Sequence, residues 1–147
     1  MIIIRYAQIS DLSSLLPLME QLGYPATLER LEKRFKKFIA NEGYGVVVAC
    51  HEQKVVGWLA WSKSDLFVHD ASRFHIEGLV VDNGYRNMGA GKKLMQFVEM
   101  IASNDSPAII DLTSGLRRAG DGTHAFYKKL GYQNDGLMAK LYLRKEV

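Results

Sequence analysis

Seven consecutive residues, Arg86-Asn87-Met88-Gly89-Ala90-Gly91-Lys92, set two glycines between two cations. They follow a run with strand character, Phe74 to Val81, and open a run with helix character, Lys92 to Ser103. A strand feeding a glycine turn that opens a helix gathers free backbone N–H groups at the positive end of a helix dipole, an arrangement suited to a phosphorylated ligand. Glycine permits the positive φ and the close backbone approach that such a turn needs. Arg86 can grip phosphate bidentately, and Lys92 adds a point charge. The same residues also fit a plain tight turn with solvated basic neighbours, so the surroundings must decide.

Other reactive residue types offer less. Cys50, the only cysteine, adjoins the apolar run Val46-Val47-Val48-Ala49, where a thiol reads as packing and not as a nucleophile. It cannot form an internal disulfide, which fits a reducing, cytoplasmic location. His51 falls in a hairpin turn and His69 in a loop, while His75 and His124 flank the segments of interest. No His or Cys spacing suggests zinc, and no metal is expected. The densest cationic cluster, Arg30, Lys33, Arg34, Lys36 and Lys37, is interspersed with Glu29 and Glu32. Mixed signs at helical spacing indicate a solvated face before an RNA surface, so nucleic acid is not the expected partner.

These residues need a scaffold. A chain of 147 residues makes one ordinary domain, residues 1–147, with 48% hydrophobic residues for a core and no apolar run of membrane-spanning length. The opening Met1 to Tyr6 lacks the features of a secretory leader and reads as a first strand. Ser10 or Asp11 can cap a helix with Leu12, Leu15, Leu16, Met19 and Leu22 on one face, kinked or broken in its first turn at Pro17. Gly23-Tyr24-Pro25 ends it. Thr27 caps a second helix, with Leu28, Leu31, Phe35, Phe38 and Ile39 along one side, stopped by Asn41 and Gly43. Two strand runs, Tyr44 to Cys50 and Val55 to Trp61, form a hairpin through residues 51–54. Residues 62–73 read as polar and irregular. After the glycine turn, the helix buries Leu94, Met95, Val98, Ile101 and Ala102. Further strand, helix and strand runs are Ala108 to Thr113, Thr123 to Leu130, and Tyr132 with Leu137 to Leu143. The order β-α-α-β-β-β-α-β-α-β describes an α+β domain, a mixed and mostly antiparallel sheet with helices on both faces.

That order, with the glycine turn after the fourth strand and His124-Ala125-Phe126-Tyr127-Lys128-Lys129-Leu130-Gly131-Tyr132 after the fifth, resembles the GCN5-related N-acetyltransferases (GNAT) over nearly the whole chain. Arg86, Gly89 and Gly91 match the family's acetyl-CoA pyrophosphate loop, Arg/Gln-x-x-Gly-x-Gly/Ala. Phe126, Tyr127, Gly131 and Tyr132 match its Phe-Tyr-x-x-x-Gly-Tyr/Phe segment. The resemblance implies that main-chain groups of Leu79, Val80 and Val81 pair with the pantetheine arm as with an added strand. It places the diphosphate on amides of Asn87, Met88, Gly89, Ala90, Gly91 and Lys92, and adds Phe126 to the cofactor-binding set.

The implied reaction has a neutral amine attack the thioester of acetyl-CoA. It needs a donor for the oxyanion, an acid for the leaving thiolate and a base for the ammonium. The resemblance implies a strand-four N–H, Val80 or a neighbour, for the oxyanion and Tyr127 as the acid, protonated at neutral pH. Glu77 is the candidate base, though strand alternation leaves open which face it takes. Ser114, Arg117 and Arg118 resemble a Ser-Gly-x-x-Arg element that contacts acceptor or cofactor, in a segment about two residues longer than the pattern. Tyr24, Trp58, Trp61, Asp65 and Phe67 are available to an amine-bearing small molecule or peptide. A non-catalytic acyl-CoA sensor and an RNA-associated enzyme acting on aminoacyl-tRNA or a ribosomal protein are the alternatives. The sequence leaves monomer and homodimer open and implies no membrane partner.

Overall fold

The runs richest in β-branched and aromatic residues become strands. These are β1 (Ile2–Tyr6), β2 (Gly45–His51), β3 (Lys54–Asp65), β4 (Ser72–Val81) and β5 (Ala108–Leu112), with helices α1 (Leu12–Leu22), α2 (Leu28–Ile39), α3 (Ala90–Ser103) and α4 (Thr123–Lys129). The computed structural model describes residues 1–114, 122–138 and 140–147. They form two units, Met1–Ile110 and Asp111–Val147.

In the first unit the sheet runs β1-β2-β3-β4-β5, and β1 to β4 are antiparallel neighbours. The β2–β3 connection is only Glu52 and Gln53, at φ 49° and 70°. Two left-handed central residues give the turn whose twist matches the strands it joins. Val46, Val48, Cys50, Val55, Trp58, Ala60 and Val80 pack with Leu12, Leu15 and Leu18 of α1 and Leu31 and Phe35 of α2. The opposite face meets α3, which buries Leu94, Met95, Val98 and Ala102. Cys50 lies in this core as a free, buried thiol.

The helix ends follow local rules. Thr27 Oγ1 accepts the Arg30 N–H at 3.3 Å, the N-cap that its position predicts. Gly23, at φ 99°, closes α1, with Tyr24 N–H donating to Met19 O at 2.9 Å. Asp11 holds the N-cap position of α1, but its side chain makes no hydrogen bond to the helix. Its carboxylate takes the Gln8 N–H at 2.7 Å and a two-pronged contact from Arg5 at 2.8 and 2.9 Å, tying the helix entry to β1. Pro17 falls in the second turn of α1, not a broken first one, and Leu18 beside it is buried.

Three expectations are corrected. Of residues 62–73 only 66–71 are irregular, because β3 extends to Asp65 and β4 starts at Ser72. Leu28 and Ile39 are exposed, since they flank the α2 stripe centred on Leu31 and Phe35. In the second unit, Leu137 to Leu143 form no strand among the described residues. Gly136–Met138 is a 3-10 turn, and Leu141, Tyr142 and Leu143 are exposed.

Candidate functional site

The turn between β4 and α3 is built stepwise. Asp82 Oδ1 accepts the Gly84 N–H at 3.1 Å and starts a short 3-10 turn, Asn83–Tyr85. Gln21, near the end of α1, holds that turn from outside. Its Oε1 accepts the Asn83 N–H at 3.0 Å, and its Nε2 donates to Asp82 Oδ1 at 3.5 Å. Nothing in the sequence singled Gln21 out, because it lies about 60 residues away in a different element. Arg86 is extended, and Asn87 and Gly89 follow at φ 67° and 82°.

Gly89 is the N-cap of α3 and so offers no capping side chain. The first-turn N–H groups therefore face an open approach at the positive end of a 14-residue helix. A Cβ placed on Gly89 would meet nothing within 4 Å. Arg86, Asn87, Met88, Gly89 and Lys92 are exposed, whereas Ala90 is buried as the helix's first anchor.

The end of β4 has a definite main-chain direction. Asp82 N–H donates to Val56 O at 2.7 Å, and the Val80 carbonyl lies 2.8 Å from where a Cβ on Gly57 would sit. Main-chain groups alternate sides along a strand. Val80 therefore turns its N–H and C=O towards β3, and Leu79 and Val81 turn theirs away. At the other end, Ser72 N–H donates to Pro107 O at 3.0 Å, where β4 and β5 begin.

Between these points the β3–β4 register slips. Ala60 pairs with Gly78 but Trp61 with Ile76, which leaves Glu77 as an extra, bulged residue. Its exposed carboxylate accepts the Ser62 hydroxyl at 2.7 Å. Since Ser62 follows Trp58 and Ala60 in alternation, Glu77 takes the α1 and α2 face, which answers the question that sequence alternation left open. Ser62 pairs with His75 and Ser64 with Arg73 on this same face. Arg73 Nη2 lies 3.0 Å from His75 Nδ1. On the reverse face Trp61, Phe74 and Ile76 are buried, and the Phe97 ring of α3 lies 6.3 Å from that of Trp61.

This division separates residues grouped as acceptor candidates. Trp58 lies on the α1 and α2 face. Trp61 lies on the α3 face, where its Nε1 donates to Gly43 O at 2.9 Å. They cannot line one pocket. Trp58 is buried, and its indole N–H has no hydrogen-bond partner among the described residues. Tyr24 and Phe67 are exposed.

Within the second unit, α4 carries Phe126 and Tyr127, whose rings lie 5.1 Å apart. Gly131 closes the helix at φ 95°. Its N–H donates to Lys128 O at 3.0 Å, and the Tyr132 N–H donates to Tyr127 O at 3.1 Å. This paired closure needs a left-handed residue at Gly131 and explains the Gly-Tyr spacing after Phe-Tyr. The Tyr127 and Tyr132 rings consequently stand 6.2 Å apart. Leu79 to Val81, Glu77 and residues 86–92 thus share one strand, turn and helix, while Phe126 and Tyr127 share another helix. Arg117 and Arg118 lie outside the described residues. No described helix is long and apolar enough to cross a membrane.

A model of the "Acetyltransferase (GNAT) family" matches residues 11–132. Among solved structures, a GNAT family acetyltransferase of Staphylococcus aureus is 26% identical at TM-score 0.80, with 99% of this chain and 98% of that one covered. An acetyltransferase of Trypanosoma brucei is 28% identical at TM-score 0.72, with 97% and 100% covered. The glucosamine-6-phosphate N-acetyltransferase of Arabidopsis thaliana shares the fold at 23% identity and TM-score 0.76, with 98% and 99% covered.

Proposed function

The chain belongs to the GNAT acetyltransferase family, and from that premise we propose that it is an N-acetyltransferase moving an acetyl group from acetyl-CoA to a primary amine of a small molecule or peptide. The observation that carries this reading is the start of α3, where left-handed Gly89 leaves uncapped N–H groups and open space. A diphosphate fits such a terminus, with Arg86 and Lys92 as supplementary cations. Because the family match crosses both units, residues 1–147 are read as one catalytic domain. The lone buried Cys50 supports a cytoplasmic setting.

Acetyl-CoA supplies the thioester carbonyl that the amine attacks. Leu79 and Val81, whose main-chain groups point away from β3, are the natural partners for the pantetheine amides. One of their N–H groups, and not that of Val80, is then the donor for the developing negative oxygen. Glu77 withdraws a proton from the incoming ammonium, directly or through water, with the Ser62 hydroxyl fixing its carboxylate. Tyr127 donates its phenolic proton to the departing thiolate.

Thermal shift with acetyl-CoA, followed by thiol release across a panel of amines, tests the reading. A rise in Tm with acetyl-CoA and amine-dependent thiol release are expected. Tyr127→Phe should lower kcat by about 10²-fold, the low end for general acid catalysis, with the acetyl-CoA shift retained. Unchanged kcat would remove Tyr127 from that role, and no acetyl-CoA shift in the parent protein would overturn the reading itself.

A further inference from the structure

The chain carries five asparagines, and only Asn83 is followed by glycine. In such a pair the main-chain nitrogen of the second residue can attack the side-chain carbonyl carbon of the first, and glycine, lacking Cβ, leaves that approach unhindered. Asn83-Gly84 lies in the 3-10 turn Asn83–Tyr85 that leads from β4 into residues 86–92, and both residues are exposed. The Asn83 side-chain amide makes no hydrogen bond among the described residues.

The closed turn holds this reaction off. The Gly84 N–H donates to Asp82 Oδ1 at 3.1 Å, so the attacking nitrogen has its proton engaged and its peptide plane fixed. The Tyr85 N–H donates to Asp82 O at 2.9 Å, and Gln21 Oε1 accepts the Asn83 N–H at 3.0 Å from outside. An exposed turn held by so few bonds opens locally at far less cost than the whole fold unfolds. Once it is open, the Gly84 nitrogen loses its proton to water and bonds to Asn83 Cγ. The Cγ–Nδ2 bond breaks, ammonia leaves and a cyclic imide remains. Water then opens either carbonyl of the imide, giving aspartate or, with the main chain rerouted through Cβ and Cγ, isoaspartate.

We propose that Asn83 is a self-modification site, converted to aspartate or isoaspartate through Gly84 when the Asn83–Tyr85 turn opens, and that conversion impairs the cofactor loop that follows. The modification rests on the turn alone, and its effect rests on the acetyl-transfer reading. Either product sets a new carboxylate beside Asp82, just upstream of the residues read as holding a diphosphate, where like charges oppose binding. Isoaspartate also lengthens the main chain between β4 and α3, so the contacts to Gln21 and Asp82 no longer fit together. Gly84 supplies the control. Its φ is not positive, and a Cβ there would meet only Asp82 Oδ1 at 3.8 Å, so alanine fits the turn while its methyl hinders the attack.

The test ages the purified protein at neutral pH and follows each asparagine by peptide mapping with mass spectrometry. The same chain held in urea gives the unguarded rate. Folded Asn83 should convert ahead of the other four asparagines and more slowly than in urea. A rate set by the opened population rises when the closed turn loses a hydrogen bond, so Gln21→Ala should convert about 2- to 10-fold faster than the parent. Gly84→Ala should stay unmodified over the same interval. Acetyl-CoA at about ten times its Kd should slow the parent about tenfold by binding the closed turn. Aged parent protein, and not aged Gly84→Ala, should lose part of its acetyl-CoA thermal shift. Conversion as fast in the fold as in urea, or no faster in Gln21→Ala than in the parent, overturns the guarded site. Conversion that acetyl-CoA does not slow, or that leaves the thermal shift at its unaged size, overturns the link to the cofactor loop. A fresh parent protein with no acetyl-CoA shift would instead strike at the acetyl-transfer reading, with the modification still measured by mass.

Discussion

Replacing Gly89 with alanine separates what the start of α3 does for the fold from what it does for the cofactor. At φ 82° an L-residue is strained by about 1–2 kcal/mol. No packing clash adds to this, because a Cβ at Gly89 meets nothing within 4 Å. Alanine also restricts the unfolded chain, returning about 0.4–1 kcal/mol. The net loss is therefore about 1 kcal/mol, or roughly 2–4 °C in Tm for a chain of this size. Gly136 is a matched control, with φ 57° and the same open surroundings. Gly136→Ala should cost a similar few degrees. The two should part on adding acetyl-CoA, since the Gly89 methyl occupies the space through which the diphosphate approaches. Loss of one hydrogen bond to that charged group weakens affinity by about 10- to 100-fold. At saturating ligand a tenfold loss removes about 1.4 kcal/mol of linked stabilisation, about 3–6 °C of the ligand-induced shift. Differential scanning fluorimetry over an acetyl-CoA titration reads both quantities. Equal, parent-like acetyl-CoA shifts in both variants would show that the diphosphate does not lie at residues 87–92.

Two further outcomes follow from contacts that the sequence did not announce. Hydrogen bonding from Arg5, aided by the Gln8 N–H and opposed by desolvation, holds the Asp11 carboxyl below its ordinary value of 3.8. A carboxyl lowered in the fold stabilises fully above its unfolded pKa and loses that contribution as pH falls through the folded one. Asp11→Asn should thus cost about 1–2 kcal/mol at pH 5–8, a gap that narrows below about pH 4 in urea melts, and a pH-independent gap would refute the ion pair's role. Gln21→Ala removes both contacts to the Asp82–Asn83 turn. It should raise the Kd for acetyl-CoA severalfold in calorimetry while leaving the acceptor KM in place, and an unaltered Kd would show that the turn holds its shape without α1.

Local chemistry made much of this legible. The Thr27 cap, the Gly23 stop and the strand, turn and helix around Gly89 depend on residues within a few positions of one another. The polar end of the β3–β4 hairpin was hidden, because Ser62-Lys63-Ser64-Asp65 carries no apolar alternation of its own. Only pairing with β4, which brings Phe74 opposite Lys63, makes it strand. The C-terminal run failed in the opposite sense. Leu137 to Leu143 carries the pattern of a strand, but its described residues form none, and a pattern becomes a strand only where a neighbouring strand pairs with it. The facing of Glu77 could not be read, since a bulge is a property of two strands and not of one.

The residue that β4 carries in excess of its partner also acts as a phase shifter. Above it even-numbered side chains turn to α1 and α2, and below it odd-numbered ones do. Deleting that residue would join Gly78 directly to Ile76 and restore simple alternation, leaving Phe74 and Ile76 beneath α3 and Arg73 and His75 on the other face. The strand can thus lose its excess residue and keep its partners, and what it would lose with it is the carboxylate that meets the Ser62 hydroxyl.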